Sequence, residues 1–253
     1  MIKVSRLLDS TWITLTLVIF WQLMSWQVGA TALPTPLNTI WRLGELAMTS
    51  SFWGHVEETA RALAIASLIT TLGGVLLGLV LGLNRLSGEV AAPLLVGLYS
   101  LPKVVLYPLI LLFFGLGLPA KIALGVLNGF APVALSAMNA VRNINPTILR
   151  TARVLHLSPW DTIRSVLLPA ALPEILSGVR MGMALTIVGV LIGEIFASNR
   201  GLGFMLTTAS QLNDNPTVMA LTLFIVIVAL ALNWLLAALR PKSWDSSSLA
   251  CRG

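Results

Sequence analysis

The stretch "ALAIASLITTLGGVLLGLVLGLN", residues 62–84, decides the fold class of this 253-residue chain. It contains no charged side chain, and about 20 residues of helix are enough to cross the hydrocarbon core of a bilayer. Three further uncharged runs of that length lie within residues 10–41, 122–141 and 215–239. The runs are continuous and not alternating, which favours membrane-spanning helices over barrel strands. The sequence therefore predicts an all-α, polytopic membrane protein.

The composition agrees with a membrane protein. Hydrophobic residues make up 57% of the chain and charged residues only 10%, against about 25% charged residues in soluble domains. The N-terminus, "MIKVSRLLDS" followed by "TWITLTLVIFWQLMSW", resembles a signal peptide. Its apolar run is longer than a usual signal sequence and lacks a directly following cleavage site, so we predict an uncleaved first span.

The distribution of basic residues gives the chain an orientation. We predict about six spans, at roughly 11–30, 60–83, 92–117, 120–140, 173–197 and 216–239. The N-terminus, loops 84–91 and 141–172 and the C-terminal tail lie on one side of the membrane in this topology and hold ten basic residues. The loops on the opposite side hold three. The ten are Lys3, Arg6, Arg85, Arg142, Arg150, Arg153, Arg164, Arg240, Lys242 and Arg252, and the three are Arg42, Lys121 and Arg200. Since basic residues collect in cytoplasmic loops, both termini and residues 141–172 are expected in the cytoplasm. The same rule explains the net charge of +6 without a nucleic-acid partner.

The loop 141–172 is long and carries two helix-start signals. Asn145-Pro146 combines a capping side chain with a proline at the first helical position, and predicts a helix from Pro146 to about Leu155. Ser158-Pro159-Trp160-Asp161 is a second start, with Ser158 as the cap and Asp161 in the capping-box position. We expect this second helix to end at Pro169, so that the loop forms a helical hairpin.

The first helix of the hairpin has the pattern of a docking element. Its apolar Ile148, Ala152 and Leu155 alternate with Arg150 and Arg153, as in a helix that inserts into a partner groove. The alternative is a solvated connector between two spans.

At this loop the sequence resembles the permeases of ATP-binding-cassette importers, whose corresponding loop carries an E-A-A motif followed by a glycine and a terminal Leu-Pro. Arg150-Thr151-Ala152 stands at the E-A-A, His156 at the glycine and Leu168-Pro169 at the end. Four other segments are similar to the nitrate, sulfonate and taurine branch. They are "LYSLPKVVLYPLILLFFGLG" (98–117), "GFAPVALSAM" (129–138), "LPAALPEILSGVRMGM" (168–183) and "GEIFASNRGLGFML" (193–206).

The resemblance implies a type I ABC importer permease in a bacterial inner membrane. The implied division is an N-terminal span and external loop (1–59), a permease core (60–240) with the hairpin 141–172, and a cytoplasmic tail (241–253). The implied partners are an ABC ATPase dimer, an external solute-binding protein and a second permease copy. The residues matched to the coupling loop are Arg150, Thr151, Ala152, Leu155, His156, Ser158 and Pro159. Arg150 and His156 depart from the motif, although His tolerates the left-handed turn that a glycine there would serve.

Charged residues inside spans are the candidates for the translocation pathway, because they are expensive in a bilayer. Lys103 follows Pro102 at an expected helix break, and Arg180 lies near the start of the fifth span, where it can also reach the interface by snorkelling. Glu194, near the outer end of that span, is either a pathway residue or the partner of an internal ion pair. Three glycine pairs or triplets at four-residue spacing, within 74–82, 178–182 and 189–193, are interpreted as positions of helix packing within the chain, with a seam between two permease copies as the alternative.

The remaining predictions concern chemistry. None of the four lysines follows a G-x-x-x-x-G sequence, so the chain is not expected to hydrolyse ATP. We expect no cofactor and no metal site. A secondary transporter, with Lys103, Arg180 and Glu194 coupling to ions, is the rival function.

Overall fold

The computed structural model describes residues 2–144, 147, 150, 154–156 and 158–238 of the chain. Within these ranges the protein is built from helices alone, which confirms the all-α class. The helices are α1 (Ile2–Val28), α2 (Pro36–Ala47), α3 (Ser50–Leu83), α4 (Arg85–Ser100), α5 (Tyr107–Phe114), α6 (Leu118–Arg142), α7 (Pro159–Thr162), α8 (Leu168–Ala197), α9 (Leu202–Gln211) and α10 (Asn215–Ala238). A 3₁₀ turn (Lys103–Leu106) precedes α5, and a π-helical turn (Ile163–Leu167) joins α7 to α8.

Four helices of the described part are long and apolar enough to cross a membrane, and the bent pair α4–α5 makes a possible fifth span. The apolar part of α1, Trp12–Val28, is shorter than these spans. Many large apolar side chains are exposed along the helices, as expected for surfaces that face lipid. The polytopic architecture predicted from the uncharged runs is confirmed.

The predicted span 92–117 is not one straight helix. The chain breaks after α4, and the two halves of the pair differ in direction by 85°. Leu101 adopts an extended conformation, with φ −65° and ψ 135°, because the following Pro102 disfavours the helical region for the residue before it.

The prediction that the second hairpin helix ends at Pro169 is wrong. The chain stays helical from α7 through the π turn into α8, with Pro169 within the first two positions of α8. The wider π turn lies where the proline removes a backbone N–H from the ladder. The loops predicted at 31–59 and 198–215 also contain helices, α2, the first turns of α3, and α9.

The chain divides into two compact units. The first comprises Met1–Glu58 and Arg200–Val228, and its core brings together Leu46 of α2, Phe52 of α3, Leu202 of α9, and Ala220 and Leu221 of α10. The Phe52 and Phe224 rings meet edge to face with their centroids 5.1 Å apart, so the start of α3 packs against the N-terminal half of α10.

The second unit, Thr59–Asn199 and Ala229–Gly253, is organised around α6. The spaced glycines of α3 and α8 face this helix, which confirms their interpretation as packing positions. A Cβ atom on Gly78 would lie 2.4 Å from the Ala134 carbonyl oxygen, and one on Gly178 would lie 2.1 Å from the Ser136 Cβ atom. Side chains larger than hydrogen would therefore push α3 and α8 away from α6.

Candidate translocation and coupling site

A buried ion pair joins α6 to α8. Lys121 Nζ lies 3.8 Å from Glu194 Oε1, and both side chains are 0% exposed. The same carboxylate oxygen accepts a hydrogen bond of 2.8 Å from the Thr59 hydroxyl on α3. Lys121 was counted from sequence among the basic residues of the outer loops, and the structure corrects this, because the side chain lies enclosed between helices. Glu194 thus has an ion-pair partner inside the second unit.

Close contacts hold the end of α8 that carries Glu194. Gly193 brings the helix so near to α6 that a Cβ atom there would lie 2.8 Å from the Lys121 Cα atom. The Gly117 amide donates a 2.8 Å hydrogen bond to the Ala197 carbonyl, and the Tyr107 hydroxyl donates to the Phe196 carbonyl. The main chain around the ion pair is therefore positioned by three different segments.

Lys103 stands at the helix break, as predicted from Pro102. It is 8% exposed, and its ammonium group donates a 3.0 Å hydrogen bond to the Tyr99 carbonyl at the end of α4. The ammonium also lies 5.4 Å from the centroid of the Tyr99 ring, within range of a cation–π contact. The Lys103 side chain thus donates a hydrogen bond to a backbone carbonyl at the end of α4, where the helix breaks.

Arg180 is the most solvent- or lipid-accessible of the three charged candidates. It lies on an exposed face of α8, and its Nε donates a 2.6 Å hydrogen bond to the Asn233 amide oxygen on α10. This single hydrogen bond orients the guanidinium group, and its other N–H groups point to further partners or solvent. Lys103 thus contacts Tyr99, Arg180 contacts Asn233, and Lys121 contacts Glu194.

The second unit also has an apolar groove of about 730 Å³. Every residue that lines it is apolar, among them Ile65, Leu98, Ile122 and Phe130. Such a lining offers no charged donor to an anion, so this groove is not a site for a charged solute.

The coupling loop contains the left-handed residue predicted at the glycine position of the motif. His156 has φ 51°, a conformation that glycine adopts without strain and histidine tolerates better than most residues. Ser158 caps the next helix as predicted, because its hydroxyl oxygen accepts from the Asp161 amide at 3.1 Å and its proton goes to the Asp161 carboxylate at 2.6 Å. The left-handed residue at His156 and the helix cap at Ser158 are therefore confirmed.

The described part of the loop presents apolar side chains outward. Val154 is 76% exposed, Leu155 64% and Trp160 69%. Arg150 and Ser158 are exposed as well. The helix start at Asn145-Pro146 and the motif residues Thr151 and Ala152 lie outside the described residues, and so does the side chain of Pro159.

A comparison with protein families gives the function class. Residues 74–244 match the family model described as the inner membrane component of binding-protein-dependent transport systems. The chain belongs to this family. As a permease of this kind, it is the membrane-spanning subunit of an ABC importer and not a secondary transporter.

Two relatives and one solved structure illustrate the family. The permease is 30% identical over 232 residues to the taurine transport system permease protein TauC of Escherichia coli, which covers 89% of this chain and 84% of that protein. It is 29% identical over 243 residues to the riboflavin transport system permease protein RibX of Chloroflexus aurantiacus, with 89% and 87% covered. A structure of the MetNI methionine ABC transporter has the same fold, with a TM-score of 0.53, 21% identity, and 79% of this chain and 93% of that chain covered.

Sequence reasoning missed the partners of Glu194. Lys121 lies one residue inside the predicted span 120–140, at the end where an antiparallel neighbour would place Glu194. A lysine and a glutamate at matching depth in apolar helices are a recognisable sign of an internal pair. Thr59 carried no such sign, since a single threonine at a span end is common.

Proposed function

We propose that this permease forms the pathway for a small anion such as a sulfonate, taurine or nitrate. An external solute-binding protein delivers the solute, and a second copy of the permease completes the pathway. The observation that carries the substrate class is the 30% identity to a taurine permease over 89% of the chain. The charge of Arg180 at an exposed helix face supports it, because a guanidinium group binds oxyanions through several parallel hydrogen bonds.

We propose further that ATP is hydrolysed by a separate ATPase dimer. The sequence supports this, since none of Lys3, Lys103, Lys121 and Lys242 stands in a phosphate-binding G-x-x-x-x-G-K motif. Energy must then reach the permease through a protein contact.

The proposed contact is the loop around His156. Val154, Leu155 and Trp160 expose apolar surface on either side of His156, which has a left-handed φ. Exposed apolar side chains of this kind suit a groove on a partner, because binding there removes their surface from water. Arg150, Thr151, Ala152, Leu155, His156, Ser158 and Pro159 are the residues that we assign to this contact.

The three charged candidates receive different roles in this proposal. Arg180 is assigned to the anion pathway because its charged group is accessible. Lys103 is assigned to the stabilisation of the helix break, through the Tyr99 carbonyl. Glu194, neutralised by Lys121, is assigned to a gate whose closed position the ion pair holds.

The proposed orientation places both termini in the cytoplasm. Removing the buried Lys121 from the outer loops leaves two basic residues there, Arg42 and Arg200, against ten on the opposite side. The positive-inside bias is therefore stronger than the sequence count gave.

Reconstitution tests the function. The permease, its ATPase and its binding protein would be incorporated into liposomes, and the uptake of labelled taurine and labelled riboflavin compared with and without ATP. We expect ATP-dependent taurine uptake that disappears with a hydrolysis-deficient ATPase. Uptake of riboflavin alone would contradict the anion class, and uptake driven by a proton gradient without ATP would contradict the importer mechanism.

A further inference from the structure

Helix α2 lies at the ends of two membrane spans. It precedes the start of α3 by two residues, and its Arg42 is held to the start of α10 by hydrogen bonds to Thr217 (3.0 Å) and Asp214 (3.3 Å). Leu46 anchors the helix in the core beside Phe52. Because α2 packs on the start of α3 and is hydrogen-bonded to the start of α10, it lies where these two spans begin.

The side chains of α2 divide into three sectors around the helix. At 100° per residue, Thr39, Leu43 and Leu46 form an inner sector that packs on the first unit. Asn38, Arg42 and Glu45 form a narrow polar sector. The third sector faces outward, with Leu37 75% exposed, Ile40 59% and Trp41 74%, and it continues through Gly44 to Met48, which is 90% exposed just beyond the helix. Its members are all apolar or small.

Exposed tryptophans lie on α2 and on the helix ends next to it in the chain. Trp41 borders the polar sector, and its indole N–H donates to the Glu45 carboxylate at 3.2 Å while its ring stays exposed. Trp26, near the end of α1, and Trp53, in the first turn of α3, are 71% and 53% exposed. Tryptophan collects at membrane–water interfaces because one end of its ring system is apolar and the other donates a hydrogen bond.

We propose that α2 is an interfacial helix whose outward sector is embedded in the outer leaflet, at the boundary between head groups and acyl chains. The end of α1 before this sector and the start of α3 after it also carry exposed apolar side chains, among them Val28 and Trp53. An amphipathic helix of this kind buries its apolar face about 5–10 Å into that boundary. A soluble partner fits less well, since a binding protein that dissociates in each cycle would leave this apolar sector in water.

Spin labelling of the full-length permease in lipid nanodiscs tests the proposal. Cys251 is the only cysteine, so a C251S background leaves a single introduced label. Gly44→Cys places the label in the outward sector, where a Cβ atom meets nothing within 4 Å. Asn38→Cys, in the polar sector of the same helix, is the matched control, and Leu230→Cys, on an exposed face of α10, is the control for a lipid environment.

We expect the Gly44 label to collide more with oxygen than with a water-soluble nickel chelate, as the Leu230 label does, and the Asn38 label to show the reverse. Equal exposure of the Gly44 and Asn38 labels to the chelate would overturn the proposal. It would be overturned equally if the Gly44 label became shielded only after the binding protein was added, because the sector would then be a protein-docking surface. Each labelled variant must retain the thermal stability of the unlabelled protein.

Discussion

Lys121 and Glu194 form an ion pair that the helices enclose completely, with 3.8 Å between Nζ and Oε1. Removing two charges from water costs several kcal/mol per ion, and their mutual attraction offsets this only when further hydrogen bonds assist. The Thr59 hydroxyl supplies one of these to the carboxylate. The pair therefore makes α6 and α8 dependent on each other at the end of α8 assigned to the gate.

Removal of one charge should destabilise the permease more than removal of both. Glu194→Gln removes the carboxylate charge that lies 3.8 Å from the buried Lys121 ammonium, and breaking a buried pair costs about 3–5 kcal/mol. The double variant Lys121→Met/Glu194→Gln should lose less stability than either Lys121→Met or Glu194→Gln alone. Thermal unfolding of the wild type, the two single variants and the double variant in a double-mutant cycle measures the coupling. Additive effects would show that the two side chains do not interact.

The same variants separate a structural role of the pair from a gate. If the pair holds a closed gate, the double variant should be well folded yet couple ATP hydrolysis poorly to taurine uptake. A double variant with normal taurine uptake per ATP hydrolysed would show that the pair stabilises the packing of α6 on α8 and does not act as a gate.

Arg180→Gln should weaken the interaction with an anionic solute. A hydrogen bond to a charged group contributes about 1.5–3 kcal/mol, which corresponds to a roughly ten- to hundredfold increase in the solute concentration needed for half-maximal uptake. Arg180→Lys should retain part of the effect, and Asn233→Ala, which removes only the orienting contact, should have a smaller one. Unchanged uptake in Arg180→Gln at normal expression would remove Arg180 from the pathway.

His156 should accept glycine and reject a β-branched residue. Its φ of 51° costs an L residue roughly 1–2 kcal/mol, and the cost is greater for valine than for histidine. His156→Gly should therefore couple to the ATPase normally, whereas His156→Val should lower coupled ATP hydrolysis. Equal activity of the two variants would show that the turn is not needed for coupling.

Leu155→Asp should weaken ATPase binding without affecting the fold, because the side chain is already 64% exposed. Burial of a leucine in an interface contributes about 1.5–3 kcal/mol, so the affinity should fall roughly ten- to hundredfold. Leu86→Asp is the matched control, since Leu86 is 71% exposed near the start of α4, outside the loop. Co-purification with the ATPase measures both variants, and similar losses in both would contradict a specific contact at Leu155.

The contact between α2 and α10 should depend on pH only in strong acid. Partial burial favours protonated Asp214, but hydrogen bonds from Thr217 and the charge of Arg42 outweigh it and lower the pKa of the carboxyl below its usual 3.8. A lowered pKa stabilises the fold above the unfolded pKa, and this stabilisation is lost as the pH falls through the folded one. The stability difference between the wild type and Asp214→Asn should therefore be constant from about pH 8 to 5 and shrink below about pH 4. A difference that already shrinks near neutrality would contradict the contact.

Features that depend on neighbouring residues were predictable from the sequence. The uncharged run 62–84 lies in a long helix, Pro102 marks a helix break, Ser158 caps a helix, and His156 takes the left-handed conformation. Each of these follows from one dihedral preference, one hydrogen bond or the thickness of a bilayer.

Features that depend on distant neighbours were not predictable. Pro169 reads locally as a helix end, but the packing of α8 on α6 and the π turn keep the chain helical through it. Helix α2 was not predicted, because prolines and polar residues surround it in the sequence. Its inner face is defined only by contacts with residues of α3, α9 and α10. Lys121 looked like a loop residue because its partner is 73 residues away along the chain (194 minus 121).

The unbroken helical course from the coupling turn into α8 makes this part of the permease a lever. Trp160–Ala197 is one helical stretch of 38 residues, about 57 Å long at 1.5 Å per residue. A tilt of about 5° at its Trp160 end would displace the far end by about 5 Å, more than the separation of the paired charges. The helix also fixes the angular position of Glu194 relative to the coupling turn, because each residue adds about 100° of rotation. Insertion or deletion of a single residue in the π turn would rotate the coupling turn by about 100° relative to α8, whose Glu194 end is held against α6.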